Sequence, residues 1–449
     1  MRIAAVALTL AVLVAASARP ARAQFSFDAR RIGMGGVSLS RDGNVRRFNP
    51  AYRAVKNRAG SGNPRLTIPV PLGLIQFFHD HPINNLRHDP MFDPDSAAFN
   101  PIALMNLVFH APIFLEIRKS PTPTNDVTFT IGRDAFVVDL GAANVLIPEE
   151  EFGLGSTSRP LDLGFGFAGF HAGVMGFTQY DVGFTLDSLL RGVLRNADSV
   201  RPGTTYTVTG DGIVQAGFAP TLGYAGRLTK GAGGEDDGVY LGAAVHWYMG
   251  ATYGRGRGPA GFTTGNPVLG AVPTGLLDDT LYTSNKPFGQ GVGGDVGIAW
   301  ISGPFEAGLG VNDIGATLTW KDTKVQRALY VAAGDSLRTT LLQNHVESTT
   351  KLPITYIANV ALRMGTGTTV GGDVVNSGRG TVIHVGAEQR MGLLALRGGV
   401  SRDQRKKMQF GWGGGVRLGP IGLDVGFWTH SNSFATQRGI TMATSISIY

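Results

Sequence analysis

The sequence predicts an all-β protein, a transmembrane antiparallel β-barrel of about 14 strands with an N-terminal plug. The first observation is a period-two pattern in the last hundred residues, and Met408–Leu418 shows it most clearly. Apolar side chains, among them Phe410 and Trp412, take the even positions, whereas Gln409 and Arg417 take odd positions. Because side chains of a strand alternate between its two faces, one face is apolar and the other is polar or small.

The second observation is that connections between the predicted strands alternate in length. Counting back from the C-terminus gives about 14 strands, an even number, within residues 127–449. Short connections are predicted near His171, Ser302, Gly365, Met391 and Gly419. Long ones are predicted at 187–212, 254–289, 321–352, 402–407 and 431–438. Short turns on one side and long loops on the other are typical of an outer-membrane barrel, whose apolar face meets lipid and whose polar face lines the lumen.

The third observation is the N-terminus, which has the features of a secretory leader. A positive start is followed by an apolar run over residues 3–16 and by Ala21-Arg22-Ala23, an A-x-A cleavage pattern. We therefore predict a signal peptide at 1–23, a plug and irregular segment at 24–126, and the barrel at 127–449. This organisation predicts an exported protein in the bacterial outer membrane, with outer-membrane lipid as its surroundings.

Composition excludes several function classes. The chain has no cysteine, which rules out disulfides and thiolate chemistry. Its net charge of +7 is mild, so we expect no nucleic-acid partner. The 65 glycines lie within the alternating segments, where glycine permits close packing and sharp bends of strands.

A short motif near the mature N-terminus suggests a family. Gly33-Met34-Gly35-Gly36 is followed by a polar stretch and then by Asn49-Pro50-Ala51. This pattern resembles the N-terminal signature of the FadL-like outer-membrane barrel superfamily, although Tyr52 stands where glycine is usual. The resemblance covers about thirty residues and extends loosely over the mature chain. It implies that Gly33, Gly35, Gly36, Asn49, Pro50 and Ala51 belong to a plug folded into the barrel mouth.

Two functions follow from this resemblance. One is a channel for passive, plug-gated uptake of small hydrophobic molecules such as fatty acids or hydrocarbons. The alternative is a PorV-like accessory barrel that binds secreted cargo or a translocon partner. The terminal aromatic Tyr449 resembles the signal read by the barrel-assembly machinery, but it shares a face with Ser447 instead of the apolar Ile448.

Residues 60–125 are proline-rich and are predicted to join the plug rather than a central strand. Their apolar residues are the candidate ligand pocket: Phe77, Phe78, Leu104, Leu107, Phe109 and Phe114. His79, His81 and His88 lie in the same segment, either as a polar loop or as metal ligands. Their spacing matches no standard structural zinc site, so we predict no metal and no cofactor.

Charged residues recur on the polar face of the predicted strands. The candidate lumen charges are Arg363, Asp373, Glu388, Arg397, Arg417 and Asp424. Unpaired charge in a confined space is costly, so these residues are expected to form ion-pair networks that stiffen a narrow lumen. The alternative is a selectivity lining for an anionic or amphipathic solute.

Motifs for catalysis are missing from the sequence, and we predict that the protein is not an enzyme. Residues 256–261 match G-x-G-x-x-G, but a loop follows instead of the helix that a dinucleotide site needs. An outer-membrane hydrolase would need a nucleophile beside His246, His384 or His430, and no nucleophile motif is present.

Overall fold

The structure is a computed structural model of the 449-residue chain. It describes residues 28–38, 43–55, 66–70, 114–115, 128–131, 136–139 and 151–449, the last range with gaps at 197, 232, 267, 269–273, 287, 332–335, 366, 379, 404–407 and 430–439. The predicted signal peptide lies outside the described residues.

In the part of the chain that the structure describes, helices are few and short. They are α1 (Ala29–Gly33), α2 (Gly43–Phe48), a 3-10 helix (Pro50–Arg53) and α3 (Ser188–Asn196). The helix α3 lies within the long connection predicted at 187–212. Among the described residues, no helix is long and apolar enough to cross a membrane.

Nineteen strands make up most of the described chain. The first nine are β1 (Leu66–Val70), β2 (Phe114–Leu115), β3 (Thr128–Ile131), β4 (Phe136–Asp139), β5 (Glu151–Phe167), β6 (Phe170–Leu186), β7 (Thr205–Lys230), β8 (Gly238–Thr263) and β9 (Thr274–Ser284). The others are β10 (Gly289–Ser302), β11 (Phe305–Val331), β12 (Ser336–Lys351), β13 (Thr355–Met364), β14 (Thr368–Asn376), β15 (Thr381–Met391), β16 (Leu394–Arg402), β17 (Met408–Leu418), β18 (Ile421–Thr429) and β19 (Ile440–Ile448). Seventeen of them form one antiparallel sheet, and β3 pairs only with β4.

At two places in the large sheet, two consecutive strands lie end to end along the same neighbour and together act as one barrel strand, which we call a ribbon. β8 and β11 pair with β10 along one half of their length and with β9 along the other half. In the same way β11 pairs with β13 and then with β12. With each of these pairs counted as one ribbon, β5–β19 provide thirteen ribbons, and β1 beside β19 is the fourteenth. The predicted barrel of about 14 strands is confirmed.

One predicted strand was wrong. The sequence predicted the first barrel strand at residues 127–139, but within this range Thr128–Ile131 and Phe136–Asp139 pair with each other as β3 and β4. The strand beside β19 is instead β1, from the proline-rich segment assigned to the plug. Among the described strands β1 pairs with β19 alone, so the missing N–H of Pro69 is tolerated.

Strand length divides the barrel into a tall wall and a low wall. β7, β8 and β11 have 26 or 27 residues, whereas β13–β19 have 9 to 11. The predicted loops at 254–289 and 321–352 are largely strands of the tall wall. Cross-strand ion pairs such as Arg255–Asp211 and Arg327–Asp278 support pairing in this region, although its apolar alternation is weaker.

Both walls share an end at which tight turns join the strands, which we call the short-turn end. Turns at Gly169, Gly303, Gly365, Gly392 and Gly419 join β5–β6, β10–β11, β13–β14, β15–β16 and β17–β18. Gly303 and Gly419 have φ of 56° and 64°, values that a residue with a side chain adopts only with strain. The predicted short connections are confirmed at these positions.

The outer surface carries a belt of exposed apolar side chains. On β8, Leu241, Val245 and Trp247 point outward and are exposed, whereas Tyr240 and His246 point inward and are buried. The belt continues around the barrel through residues such as Leu163, Phe165, Leu222, Val292, Val296, Leu309, Val360, Leu396 and Leu423. An apolar outside around a polar inside is the surface of a transmembrane β-barrel.

At the end opposite the short turns, Asp187 anchors α3 to β7. Its carboxylate accepts hydrogen bonds from the N–H groups of Leu190 (2.7 Å) and Thr207, and from the Thr207 hydroxyl (3.0 Å). Burial raises the pKa of Asp187, but these hydrogen bonds outweigh it and leave the pKa below its usual value. A carboxylate with a depressed pKa stabilises the fold above its unfolded pKa of about 3.9, and this contribution is lost as pH falls through the folded pKa.

We therefore expect α3 to loosen in acid. Protease cleavage or amide exchange within residues 188–200 should increase as pH falls below about 4, where the unfolded carboxyl begins to take up a proton. Asp187→Asn should increase this mobility at neutral pH, because the asparagine NH2 would replace an oxygen that accepts from Thr207, and it should reduce the pH dependence. The exposed Asp198 provides the matched control, because Asp198→Asn should leave the profile unchanged. A profile unaltered in Asp187→Asn would rule out this role.

Candidate functional site in the barrel interior

The barrel interior contains part of the chain's own N-terminus, which we call the hatch (residues 28–38 and 43–55). Every residue of α1 is buried, and α1 packs against β16–β19. The 3-10 helix packs against β7, β8 and β10, on the tall wall. The hatch therefore contacts two separate walls, and the plug motif provides both contacts.

Glycines of the low wall form the first contact, the low-wall platform. These inward-facing residues are Gly386, Gly399, Gly411, Gly413 and Gly426. A Cβ atom on Gly399 would overlap the carbonyl of Met34, and one on Gly411 would overlap the carbonyl of Ile32. Only glycine allows the two backbones to approach so closely. Within the hatch, Gly33 lies against Gly413 and Gly35 against Gly399 and Val400, while Gly36 adjoins the His384 ring.

Glycines of the tall wall form the second contact, the tall-wall platform (Gly242, Gly297, Gly308 and Gly310). A Cβ atom on Gly242 would lie 2.5 Å from the Pro50 carbonyl carbon and from the Ala51 nitrogen. Asn49 donates hydrogen bonds to the carbonyls of Ile298 (3.0 Å) and Leu309 (3.1 Å) on neighbouring strands. Its Oδ1 accepts from the Ala51 N–H and caps the 3-10 helix.

A cluster of charges fastens the hatch to the low wall. Glu388 accepts hydrogen bonds from Arg30 of the hatch (2.9 and 3.0 Å), from Arg397 (2.7 Å) and from Arg390 (2.8 Å). Arg397 also pairs with Asp424 at 2.7 Å, and Asp424 accepts from Ser447 at 2.6 Å. Glu388, Arg397 and Asp424 are almost fully buried. Three arginines therefore converge on one buried carboxylate.

The remaining predicted lumen charges have separate partners. Asp373 accepts from the His384 Nδ1 (2.5 Å) and from the hatch N–H of Ser38 (2.6 Å). Arg363 pairs with Glu306 at 3.1 Å. Arg417 lies near the short-turn end, with its guanidinium 4.2 Å from the centre of the Tyr449 ring. Tyr449 keeps the face it shares with Ser447, because the β18–β19 register has no shift.

A second charge cluster lies on the tall wall and was largely missed from sequence. Arg159 contacts both oxygens of Asp295, one at 2.9 Å, and Asp313 at 2.9 Å, and it donates to the hatch carbonyl of Arg47 at 2.8 Å. His246 Nε2 lies 2.8 Å from Asp295. Asn312-Asp313 interrupts the apolar alternation just before Gly315, and this was the one sequence signal for a bulge at the cluster.

The geometry around His246 favours structural ion pairing over catalysis. The Thr221 hydroxyl donates to the Ala219 carbonyl (3.0 Å), so it accepts a hydrogen bond from His246 Nδ1 (2.8 Å). Nε2 lies 2.8 Å from the Asp295 carboxylate, so both ring nitrogens are held by neighbouring groups. A general base must instead accept a proton from the nucleophile. Thr221 and Asp295 therefore fix the ring of His246 in place.

Above this cluster, away from the short-turn end, apolar side chains gather on the inner face beside the hydrogen-bonded Gln179, Gln215 and Thr350. The apolar cluster consists of Met175, Phe177, Ala219, Tyr248, Tyr253, Ala316, Leu318, Trp320 and Leu352, with Ile213 and Tyr282 beside it. Tyr253 and Trp320 stack with ring centres 5.2 Å apart, and Phe177 meets Tyr248 edge-on at 5.1 Å. Barrel lumens are usually polar, so this buried, inward-facing apolar cluster is the strongest candidate for binding a hydrophobic molecule.

The predicted pocket cannot be compared with this cluster directly. Phe77, Phe78, Leu104, Leu107 and Phe109 lie outside the described residues, as do His79, His81, His88 and His430. Of Phe114 the structure describes the backbone, which pairs with Thr441. No group of three or more potential metal ligands occurs in the described part of the chain.

The fold and its interior define a class: a transmembrane β-barrel whose lumen holds its own N-terminal segment. No family model matches the chain, and no curated protein matches it. Among solved structures, it is similar to the Ralstonia pickettii toluene transporter TbuX, with 13% identity over 69% of this chain and 95% of that chain and a TM-score of 0.32. It is also similar to the Pseudomonas putida toluene transporter TodX, with 11% identity over 72% and 94% and a TM-score of 0.31. A third is a triple mutant of the Rhodopseudomonas blastica porin, with 10% identity over 62% and 99% and a TM-score of 0.20.

Proposed function

We propose that this chain is an outer-membrane channel for passive uptake of small hydrophobic molecules, gated by its hatch. The observation that carries the proposal is the apolar cluster on the inner face of the tall wall. A channel for water-soluble solutes needs a polar lining, whereas a hydrophobic solute gains free energy only where it meets apolar surface. Phe177, Tyr253 and Trp320 place aromatic side chains inside the barrel, where they are buried in the cluster, so a solute would reach them when the cluster opens.

The hatch is the natural gate in this proposal. It bears on both walls near the second charge cluster, through backbone-to-backbone approaches, ion pairs and two small apolar clusters. In these clusters Tyr52 and Val55 pack on the tall wall, and Ile32 packs on the low wall. The apolar clusters are small, so hatch movement would expose a limited apolar surface, and breaking the buried ion pair of Arg30 would be its main cost. Solute from the apolar cluster would pass beside the displaced hatch toward the short-turn end.

Binding and uptake of toluene test this function. The purified barrel should bind toluene saturably, and cells that express it should take up labelled toluene faster than cells that lack it. Leu318→Asn places an amide in the apolar cluster and should weaken binding several-fold. Leu341→Asn, at an exposed position on β12, is the matched control and should behave as wild type.

The fold of each variant is checked by its heat-dependent shift on a gel. Binding that does not saturate, or uptake equal to that of cells without the protein, would contradict the channel. If folded Leu318→Asn binds toluene like wild type, the apolar cluster is not the binding surface.

A second candidate function is a PorV-like accessory barrel that holds cargo or a translocon partner. The tall wall favours it, because β7, β8, β9, β11 and β12 continue the sheet well beyond the low wall. β12 pairs only with β11 among the described strands and carries exposed Leu341 and Leu342. Two results together would favour this function. A stable partner should co-purify with wild type but not with a variant in which residues 336–349 are replaced, and wild type should not bind toluene.

A further inference from the structure

β11 carries a bulge at Asn312 and Asp313, where two consecutive side chains both face the barrel interior. Against β10, the register moves from Val296↔Val311 to Gly294↔Ile314, so β11 has one extra residue at this point. Asp313 has φ of 61°, a left-handed backbone that costs a non-glycine residue free energy. Bulges of this kind re-aim side chains and are common beside functional sites.

The bulge leaves buried polar atoms unpaired. Both amide atoms of Asn312, Oδ2 of Asp313 and the hydroxyl of Thr355 have no hydrogen-bond partner among the described residues. Asn312 is 0% exposed, Asp313 1% and Thr355 3%. Thr355 lies directly opposite Asn312 on β13, so these atoms are neighbours across the two strands. Leaving such groups unpaired is costly, and an apolar residue of similar size would avoid that cost.

The unpaired atoms border the apolar cluster. Oδ1 of Asp313 accepts from the Tyr248 hydroxyl (2.5 Å) and from Arg159 (2.9 Å), which fixes the carboxylate and leaves Oδ2 available. The Tyr248 ring belongs to the apolar cluster, where it lies beside Ala316 next to Gly293. On the other side, the hatch carbonyl of Phe48 adjoins Gly310, the preceding inward position on β11.

We infer that Asn312, Asp313 and Thr355 form a subsite for the hydroxyl group of an otherwise apolar permeant. The inference rests on the proposed function and narrows its substrate class. A hydroxyl donates one hydrogen bond and accepts others, so it can donate to Asp313 Oδ2 and accept from the Asn312 amide. The apolar body of the same molecule would lie against Tyr248 and its neighbours.

The same atoms discriminate against other ligands. A hydrocarbon of the same shape leaves the amide and carboxylate unpaired, so it gains nothing from the subsite. A carboxylate anion meets the available oxygen of Asp313 and is repelled, because like charges that lie close together destabilise each other. The subsite thus selects uncharged alcohols or phenols over hydrocarbons and over ionised acids.

Three probes of similar size test the inference on the full-length barrel: p-cresol, toluene and p-toluate. We expect wild type to bind p-cresol about tenfold more tightly than toluene, and p-toluate more weakly than both. Asn312→Leu should abolish the preference for p-cresol and leave toluene binding unchanged. Asn312→Leu should also resist denaturant at least as well as wild type. If Asn312 had a purely structural role, its replacement would lower that resistance.

Thr355→Val keeps the side-chain shape and should also weaken the preference for p-cresol over toluene. This variant tests the inference if Asn312→Leu fails to fold. Asn344→Leu, at an exposed position on β12, should keep the wild-type ratio. Three results would each overturn the inference: equal binding of p-cresol and toluene by wild type, tighter binding of p-toluate than of p-cresol, or a p-cresol preference that survives in both variants. In each case, saturable binding of toluene would still support the channel. If none of the three probes binds, the proposed function fails as well.

Discussion

Alanine at Gly399 is expected to displace the hatch, whereas alanine at the adjacent Gly398 is expected to do nothing. A Cβ atom on Gly399 would overlap the backbone of Met34 and crowd Gly35. One on Gly398, which points out of the barrel, would have nothing within 4 Å. Neither glycine has the left-handed backbone that would penalise alanine by itself, so the pair isolates the contact with the hatch.

The expected result is a leak. Because overlap with backbone cannot be relieved by a side-chain rotation, Gly399→Ala should cost about 1–3 kcal/mol of hatch docking. Liposomes that contain Gly399→Ala should admit glucose several-fold faster than those with wild type, and protease should cut residues 28–38 more readily. Gly398→Ala should match wild type in both measurements. Equal leak from the two variants would mean that the low-wall platform does not hold the hatch.

Replacing Glu388 with glutamine is expected to give the largest loss of stability. Glutamine keeps the shape of the side chain but removes the charge that faces Arg30, Arg390 and Arg397. Asp424 would then be the one carboxylate left in the cluster to balance three arginines. Breaking a buried ion pair in this way typically costs about 3–5 kcal/mol, since an uncompensated charge stays buried.

Unfolding in denaturant, followed by the heat-dependent gel shift, measures this cost. Glu347→Gln provides the control, because Glu347 is exposed on β12 and should change stability by less than about 0.5 kcal/mol. The double variant Glu388→Gln with Arg30→Leu should recover part of the loss, because it removes one of the stranded cations. If Glu388→Gln alone is as stable as wild type, then water or other groups compensate the charges of the three arginines.

The barrel could be predicted because its signal repeats in every strand. The alternation in Met408–Leu418 recurs along the low wall, and each short turn has a glycine where the chain reverses. Conflicting local signals led to the errors. Pro69 argued against a strand, yet β1 needs few N–H donors because it has a single described partner. Residues 127–139 alternate well enough for a barrel strand, but they pair locally as β3 and β4.

The interior was harder to predict because it depends on which strands become neighbours. The sequence identified the plug motif, but not that its glycines face a second set of glycines on the wall. Glu388 and Arg397 were expected to point inward. That three arginines converge on Glu388 could be predicted only with the register of β15 and β16. The apolar cluster collects residues from β6, β7, β8 and β11, which are far apart in sequence.

The unequal strand lengths have a consequence for how solutes approach. Because the strands of the low wall end many residues earlier than those of the tall wall, the rim is slanted. At about 3.3 Å per residue, the extra strand length of about fifteen residues amounts to roughly 50 Å measured along a strand. A slanted aperture is wider than a level one of the same barrel and faces partly sideways. Reagents bound to the outer side of the high rim, such as an antibody fragment, would therefore leave the entrance uncovered.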